Sequence, residues 1–379
     1  MRKIVPLLLL LLFSRAAAAQ DAVADTLKAM IDREEYDKVI SGYAPVATGL
    51  SAKAVYAVSV AFYGKEQVDS CLKYADLSIK KDQHYAKPHN LKGWLYNYLG
   101  KHTEAVDEFK EAIRIAPDSA DYHNGLGESQ YYLKNYDLSL ESFKKSTTLK
   151  NAPARSYMMI ANIYSERGQQ KETIAALYDA KTNIGKEEEE YPRALFNIGQ
   201  LEYLEGNYGP AESALTELIQ LTPDDYHAYS NLIQVYYARG EYEKAKPYKD
   251  RLYDAHKKEL LKDNMKDMFC FDQFKWKDHT VQVFERYEEG PSKKIFNKHL
   301  FYVVDKADNI VMRIQTEYSP FSVELDGIKY ILCGTKGTTH LNYGIGFNDD
   351  LKYTDLKAAV VKILDKGIDP AASTTPANK

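Results

Sequence analysis

Three cysteines in 379 residues are too few for a disulfide framework, so a fold of this length must be held by packed core. Apolar runs are equally scarce. The only long one, Ile4 to Phe13, is too short to span a bilayer comfortably, which excludes a polytopic membrane protein. Positive charge is not in surplus either: the formal net charge is −4. Nucleic-acid binding usually needs a basic stripe, and none is present, nor is there a polybasic segment for an anionic membrane surface. Motifs that carry chemistry are missing as well. There is no H-E-x-x-H, C-x-x-C, P-loop, dinucleotide fingerprint or G-x-S-x-G. The nine histidines are scattered, and Cys333 followed by His340 has no surrounding motif. No catalytic residue, metal site or cofactor is expected.

The amino terminus has a clear pattern. Met1-Arg2-Lys3 is basic, Ile4 to Phe13 is apolar, and Ala17 and Ala19 fit a small-residue cleavage site. This order is that of a secretory signal peptide, expected over residues 1–19. Its removal takes three basic residues and leaves a formal charge of −7. An exported protein is expected, with a bacterial periplasm favoured over other secretion, and with no integral membrane span after cleavage.

Tyrosine is abundant, 31 residues against 13 phenylalanines, and it recurs at an interval. Units starting at Ala52, Ala86, Ala120, Ala154, Pro192 and Tyr226 are spaced by 34, 34, 34, 38 and 34 residues. The eighth position reads Ser59, Gly93, Gly127, Ala161, Gly199 and Ile233, small in all but the last. The twentieth reads Cys71, Ala105, Ser139, Thr173, Ala211 and Ala245. Small residues there let two helices of a hairpin cross closely. The fifteenth position carries Gly100, Gly168, Gly206 and Gly240, as a helix-to-helix turn with φ > 0 requires, with Glu66 and Lys134 as exceptions. Pro117 and Pro223 end their units. The 38-residue spacing is an insertion at Gly185 to Tyr191, containing four consecutive glutamates that read as a solvated turn.

The unit Gly93-x-x-Tyr96-x-x-x-Gly100-x-His102-x-x-Ala105-x-x-x-Phe109-x-x-Ala112-x-x-x-x-Pro117 resembles the tetratricopeptide repeat (TPR) family. The resemblance covers about residues 52–259 clearly and 20–51 weakly, where Tyr36 and Tyr43 mark a degenerate opening repeat. It implies a mainly α fold: a TPR solenoid over residues 20–263, about six 34-residue helix–turn–helix units, each burying its apolar face against its neighbours.

The resemblance also implies a binding surface. In the family the first helix of each hairpin lines a concave groove that takes extended or helical peptide segments, and positions 2, 5, 9 and 12 face it. On that pattern the candidate peptide-binding residues are Tyr63, Asn90, Asn97, Tyr131, Arg155, Asn162, Arg193, Gln200, Tyr203, His227, Gln234 and Tyr237. Tyrosines and amides contact a peptide backbone with little regard for its sequence. The same tyrosines also suit packing between hairpins, and both readings stay open. The Lys-plus-Asn pair with which some family members grip a terminal carboxylate occurs at positions 5 and 9 of no unit.

After Leu261 the helical period fades and the chain turns β-branched and aromatic. Phe269–Trp276, Thr280–Glu288, Leu300–Val304, Ile310–Tyr318, Phe321–Leu325, Ile328–Cys333 and Thr338–Ile345 read as strands, with Asp326-Gly327 a tight hairpin. One helix follows, capped by Thr354 and closed by Gly367, with Leu356, Val360, Ile363 and Leu364 on its apolar stripe. Residues 264–367 thus form a smaller α+β domain, an antiparallel sheet with one helix, and 368–379 a disordered tail. Cys270 and Cys333 lie in two of its strands, as buried thiols or as a pair. Residues 254–268 contain no Gly, Ser or Pro, so the domain is expected to dock on the last hairpin without a flexible linker.

The function expected is that of an exported, non-catalytic interaction module or scaffold with a protein or peptide partner. The rivals are an enzyme with its site in the β domain and a structural component of the cell envelope. The partner and the oligomeric state are not set by these residues.

Overall fold

The computed structural model describes residues 22–289, 295–307, 309–316, 323–325, 328–331, 341–345 and 353–366. The leader and the carboxyl-terminal tail expected at residues 1–19 and 368–379 lie outside these, as does Cys333. The chain forms two compact units that meet between Tyr191 and Pro192.

The first unit is a run of paired helices. They are α1 (residues 22–32), α2 (Tyr36–Tyr43), α3 (Ala52–Gly64), α4 (Val68–Lys81), α5 (Ala86–Tyr98), α6 (His102–Ile115), α7 (Ala120–Tyr132), α8 (Tyr136–Thr147), α9 (Ala154–Glu166) and α10 (Gln170–Asn183). The repeat units read at Ala52, Ala86, Ala120 and Ala154 start their first helices at those residues. The opening repeat exists too, as α1 and α2 with a 3₁₀ turn at Ala44–Gly49.

Two features of the repeat explain the packing. Phe109 on α6 lies between α5 and α7. A Cβ added at Gly93 would sit 2.8 Å from its ring, and one at Gly125 would sit 2.2 Å from it. The ring fills space that only glycine leaves open on both neighbouring helices. Serine hydroxyls then staple backbone to backbone. Ser59 and Ser139 donate to the Cys71 and Gly127 carbonyls at 2.7 Å, and Ser78 and Ser146 to those of Ala52 and Ala120 at 2.7 and 2.8 Å. These hydroxyls are buried, so each bond also satisfies a group that would be costly to leave alone.

The second unit holds most of α11 (Glu190–Leu204), then α12 (Tyr208–Leu221), α13 (Tyr226–Ala238) and α14 (Tyr242–Lys257). The strands are β1 (Met268–Trp276), β2 (His279–Glu289), β3 (Ile295–Val304), β4 (Ile310–Thr316), β5 (Val323–Leu325), β6 (Ile328–Ile331) and β7 (Leu341–Ile345), and helix α15 (Tyr353–Lys366) follows. The change from helix to strand expected at 263/264 therefore falls inside this unit. The sheet order is β1-β2-β3-β4-β7-β6-β5. It is antiparallel except at one seam, where β4 and β7 run parallel. The chain leaves β4, makes the β5–β6 hairpin at the far edge, and returns along β7 into the gap.

Strand β1 carries a bulge. Cys270 pairs with Phe284 and Asp272 with Val283, so Phe271 is the extra residue. A bulge resets the alternation of faces, and here Phe271 and Asp272 are both fully buried. Helix α15 buries Leu356, Val360 and Leu364, and it is tied to β1 where the Trp276 indole donates to Asp365 at 2.9 Å.

Candidate functional site

In the second unit the face made by the first helices, α11 and α13, is covered by the chain's own strand β1. Ser230 and Gln234, one turn apart on α13, both donate to the Cys270 carbonyl, at 2.6 and 3.2 Å. Tyr203 on α11 donates to the Gln273 carbonyl at 3.3 Å. Tyr237 packs edge-on against Phe271 with ring centres 4.9 Å apart. The repeat positions involved are 5, 9 and 12, those expected to meet a peptide. What they meet is an extended main chain, gripped mostly by its carbonyls. Arg193, Gln200 and His227 on the same helices are exposed. Cys270 is a free thiol, and burial pushes it up to about 12, which keeps it protonated.

Two buried charge clusters lock the strand in place. Lys249 on α14 lies at repeat position 24, where earlier units place Ala75, Phe109, Phe143, Leu177 and Leu215. Its ammonium reaches Glu285 on β2 at 2.5 Å and lies over the Phe271 and Tyr237 rings at 5.2 and 5.4 Å. Tyr253 donates to the other Glu285 oxygen, and His299 stands 3.5 Å from the first. Glu285 is 2% exposed. Burial is the largest influence on it and pushes its carboxyl up, but Lys249 and His299 outweigh burial and hold it at about 2. The second cluster is Asp272 with Lys357, at 2.8 Å, and the Tyr353 hydroxyl, which donates to the same oxygen.

Sequence reasoning missed these residues, though signals were present. Glu285 continues the buried period of Val281 and Val283 along β2, and a lysine at position 24 stands where every other unit is apolar. The bulge that buries Asp272 had no such signal.

In the first unit the corresponding face is made by α3, α5, α7 and α9. Polar contacts run from one repeat to the next across it. Asn90 donates to Asp121 at 2.8 Å, Ser156 donates to Asn124 at 2.9 Å, and Arg155 pairs with the buried Glu128. Arg155 is thereby held by its neighbour rather than standing free at the edge. Asn162 donates to the Met159 sulfur at 3.6 Å. Tyr63 is 52% exposed, and Tyr131 is half-buried between Tyr132 and Tyr136. Two amide atoms on α5 are buried with no partner among the described residues: the Asn90 Oδ1 acceptor and the Asn97 Nδ2 donor. The other atom of each is engaged, Asn90 Nδ2 by Asp121 and Asn97 Oδ1 by His102 at 3.2 Å. Among the described residues no three His, Cys, Asp or Glu side chains are grouped to hold a metal, and no helix is long and apolar enough to cross a membrane.

Family models described as "TPR repeat" and "Tetratricopeptide repeat" match residues 93–133 and 196–258. The chain is similar to the human "Protein O-mannosyl-transferase TMTC1", 24% identical over 208 residues, which are 46% of this chain and 24% of that protein. It is also similar to the human "Superkiller complex protein 3", 27% identical over 135 residues, covering 36% of this chain and 8% of the relative. The chain thus spans a quarter or less of the length of these relatives. Among solved structures, YrrB, described as a TPR protein with an unusual peptide-binding site, aligns at a TM-score of 0.41 and 18% identity, over 50% of this chain and 94% of its own. PilF of Pseudomonas aeruginosa aligns at 0.46 and 18%, over 55% and 94%. The repeat matches and the paired helices with small crossing positions agree, and the chain carries tetratricopeptide repeats, matched over residues 93–133 and 196–258.

Proposed function

We propose that the protein is an exported, non-catalytic scaffold whose first-helix face in the first unit receives an extended segment of a partner protein. One observation carries this reading. In the second unit, repeat positions 5, 9 and 12 hold strand β1 by its main-chain carbonyls. The chemistry of the array's face is therefore that of a strand receptor. The same positions in the first unit offer Asn90, Asn97, Tyr63, Tyr131 and Asn162, and two of their amides keep an unanswered donor or acceptor. A peptide backbone supplies both kinds of group. Export rests on the leader pattern of residues 1–19, and N-terminal sequencing of the protein from its host is expected to begin near Gln20.

The test is a photo-reactive amino acid placed in turn at positions 97, 131 and 110 of the protein in its native envelope. Positions 97 and 131 lie on the proposed face, and Lys110 is exposed on the second helix α6. A discrete polypeptide adduct from 97 and 131 but not from 110 is expected. Adducts from 110 alone would place the interaction elsewhere.

A further inference from the structure

The first unit contains a half-buried carboxylate that no cation answers among the described residues. Asp121 is the second residue of α7, on the first-helix face. Burial pushes its carboxyl above the usual carboxylate range, against the Asn90 Nδ2 donor at 2.8 Å and the Trp94 indole donor, which favour the charged form. Neither donor carries charge, and Asp121 has no ion pair among the described residues. Other carboxylates of this unit are treated differently: Glu128 has Arg155, and Glu108 has Lys92 and His89. The position in the first turn of a helix makes a negative charge tolerable there. It does not explain the surroundings, which add a second acceptor and several aromatic rings.

The second acceptor is Asn90 Oδ1. Asp121 can only accept, so the Asn90 amide must present Nδ2 to it, and this fixes the amide's orientation. Oδ1 is then buried beside the carboxylate with no donor. A water would satisfy it but would not neutralise Asp121. Tyr56 and Tyr85 pack edge to face with ring centres 5.5 Å apart, and Tyr122 is buried. Burial raises the phenols of Tyr56 and Tyr122, and Asp121 adds to both shifts, so the rings lie within its field. A carboxylate oxygen, a desolvated amide oxygen and aromatic rings are the elements that recognise an organic cation.

We propose that Asp121, Asn90 and Trp94, backed by Tyr56, Tyr85 and Tyr122, form a seat for an ammonium group, filled by a lysine side chain of the segment bound on this face. The assignment rests on the protein-binding reading above. A guanidinium suits it less well. Its planar fork asks for both oxygens of a carboxylate, and one of these is committed to Asn90, whereas an ammonium is a point charge with rotating donors. The polarity is the opposite of a terminal-carboxylate grip.

Butylammonium, the lysine side chain without its backbone, is the probe. The protein has two tryptophans, so its indole ¹⁵N–¹H spectrum is simple. Trp94 reports on the seat, and Trp276, bonded to Asp365, serves as the internal control. The expected result is a saturable shift of the Trp94 signal with butylammonium, none with butanol, and none at Trp276. Asp121→Asn keeps an acceptor for Asn90 and Trp94 but removes the charge, and it should weaken binding about tenfold or more. Asn90→Leu, which deletes the neutral acceptor together with the donor to Asp121 but leaves the charge, should also weaken it and covers the case of an unfolded Asp121 variant. No saturable shift, or one that both variants leave unchanged, overturns the seat. The probe needs no polypeptide, so the two readings fail separately. Ammonium binding without any polypeptide adduct from position 97 would overturn the lysine as its source and point to a free amine. Adducts without an ammonium response would overturn the seat and leave the protein-binding face.

Discussion

At repeat position 24 five units bury an apolar residue and the sixth buries Lys249. Removing one member of a buried, hydrogen-bonded ion pair strands the other, at a typical cost of about 3–5 kcal/mol. Lys249→Met should therefore destabilise the second unit by that order, read as a lowered urea midpoint, although methionine fits the site's size. The pH dependence has a definite sign. The Glu285 carboxyl is depressed from 4.5 to about 2, so its contribution is complete above about 4.5 and is lost as pH falls toward 2. Comparing urea midpoints across that window, Glu285→Gln should be less stable than the wild type at neutral pH and decline less on acidification. A decline parallel to the wild type's would show that another carboxylate is responsible. Gly125 supplies a test in the first unit. A Cβ there would lie 2.2 Å from the Phe109 ring, so Gly125→Ala should destabilise by about 1–3 kcal/mol, as overpacking does, despite alanine's better helix propensity.

Among the elements, the hairpin turns are the most regular. Gly100, Gly168, Gly206 and Gly240 adopt positive φ at position 15, and so do Glu66 and Lys134, at 57° and 60°. Residues with a Cβ are strained there. Lys134→Gly is thus expected to raise the array's thermal midpoint, by up to about 1 kcal/mol of stability, while Gly100→Ala should lower it. Glu34, at φ 57°, makes the same turn between α1 and α2, and this is how the faint opening repeat becomes recognisable in the structure. The helices were legible because small residues at positions 8 and 20 and glycine at 15 are local demands repeated at a fixed interval. Strands β1 to β4 were legible to within a few residues from their alternation. What alternation could not convey is which strands pair. The parallel β4–β7 seam joins segments far apart in sequence, and the Phe271 bulge depends on what β1 packs against. The face positions were legible as a set, but what they meet was not. That Tyr203, Gln234 and Tyr237 meet β1 depends on where the sheet packs within the second unit.

For the molecule as a whole, the sheet is a condition of the last hairpin's stability. Lys249 and Tyr253 on α14, with Ser230 and Gln234 on α13, spend their polar groups on β1 and β2. A fragment of residues 22–263 should therefore lose α13 and α14 first on heating, seen as a low-temperature step in its helical circular dichroism. Without the sheet, Lys249 has no Glu285, and the sign of its substitution should reverse: Lys249→Leu is expected to stabilise the fragment while destabilising the full chain. A fragment that melts in one step, unaffected by the substitution, would show the hairpin to be self-sufficient. The lysine also bears on length. A stack of hairpins has no inherent last member, since the apolar end of each is a template for the next, whether from its own chain or from a neighbour's. A charge at the terminal template removes the reward for adding another unit. Restoring an apolar residue there, in a fragment that lacks the sheet, should turn a finite array into one that polymerises end to end, with a sedimentation coefficient that climbs with concentration.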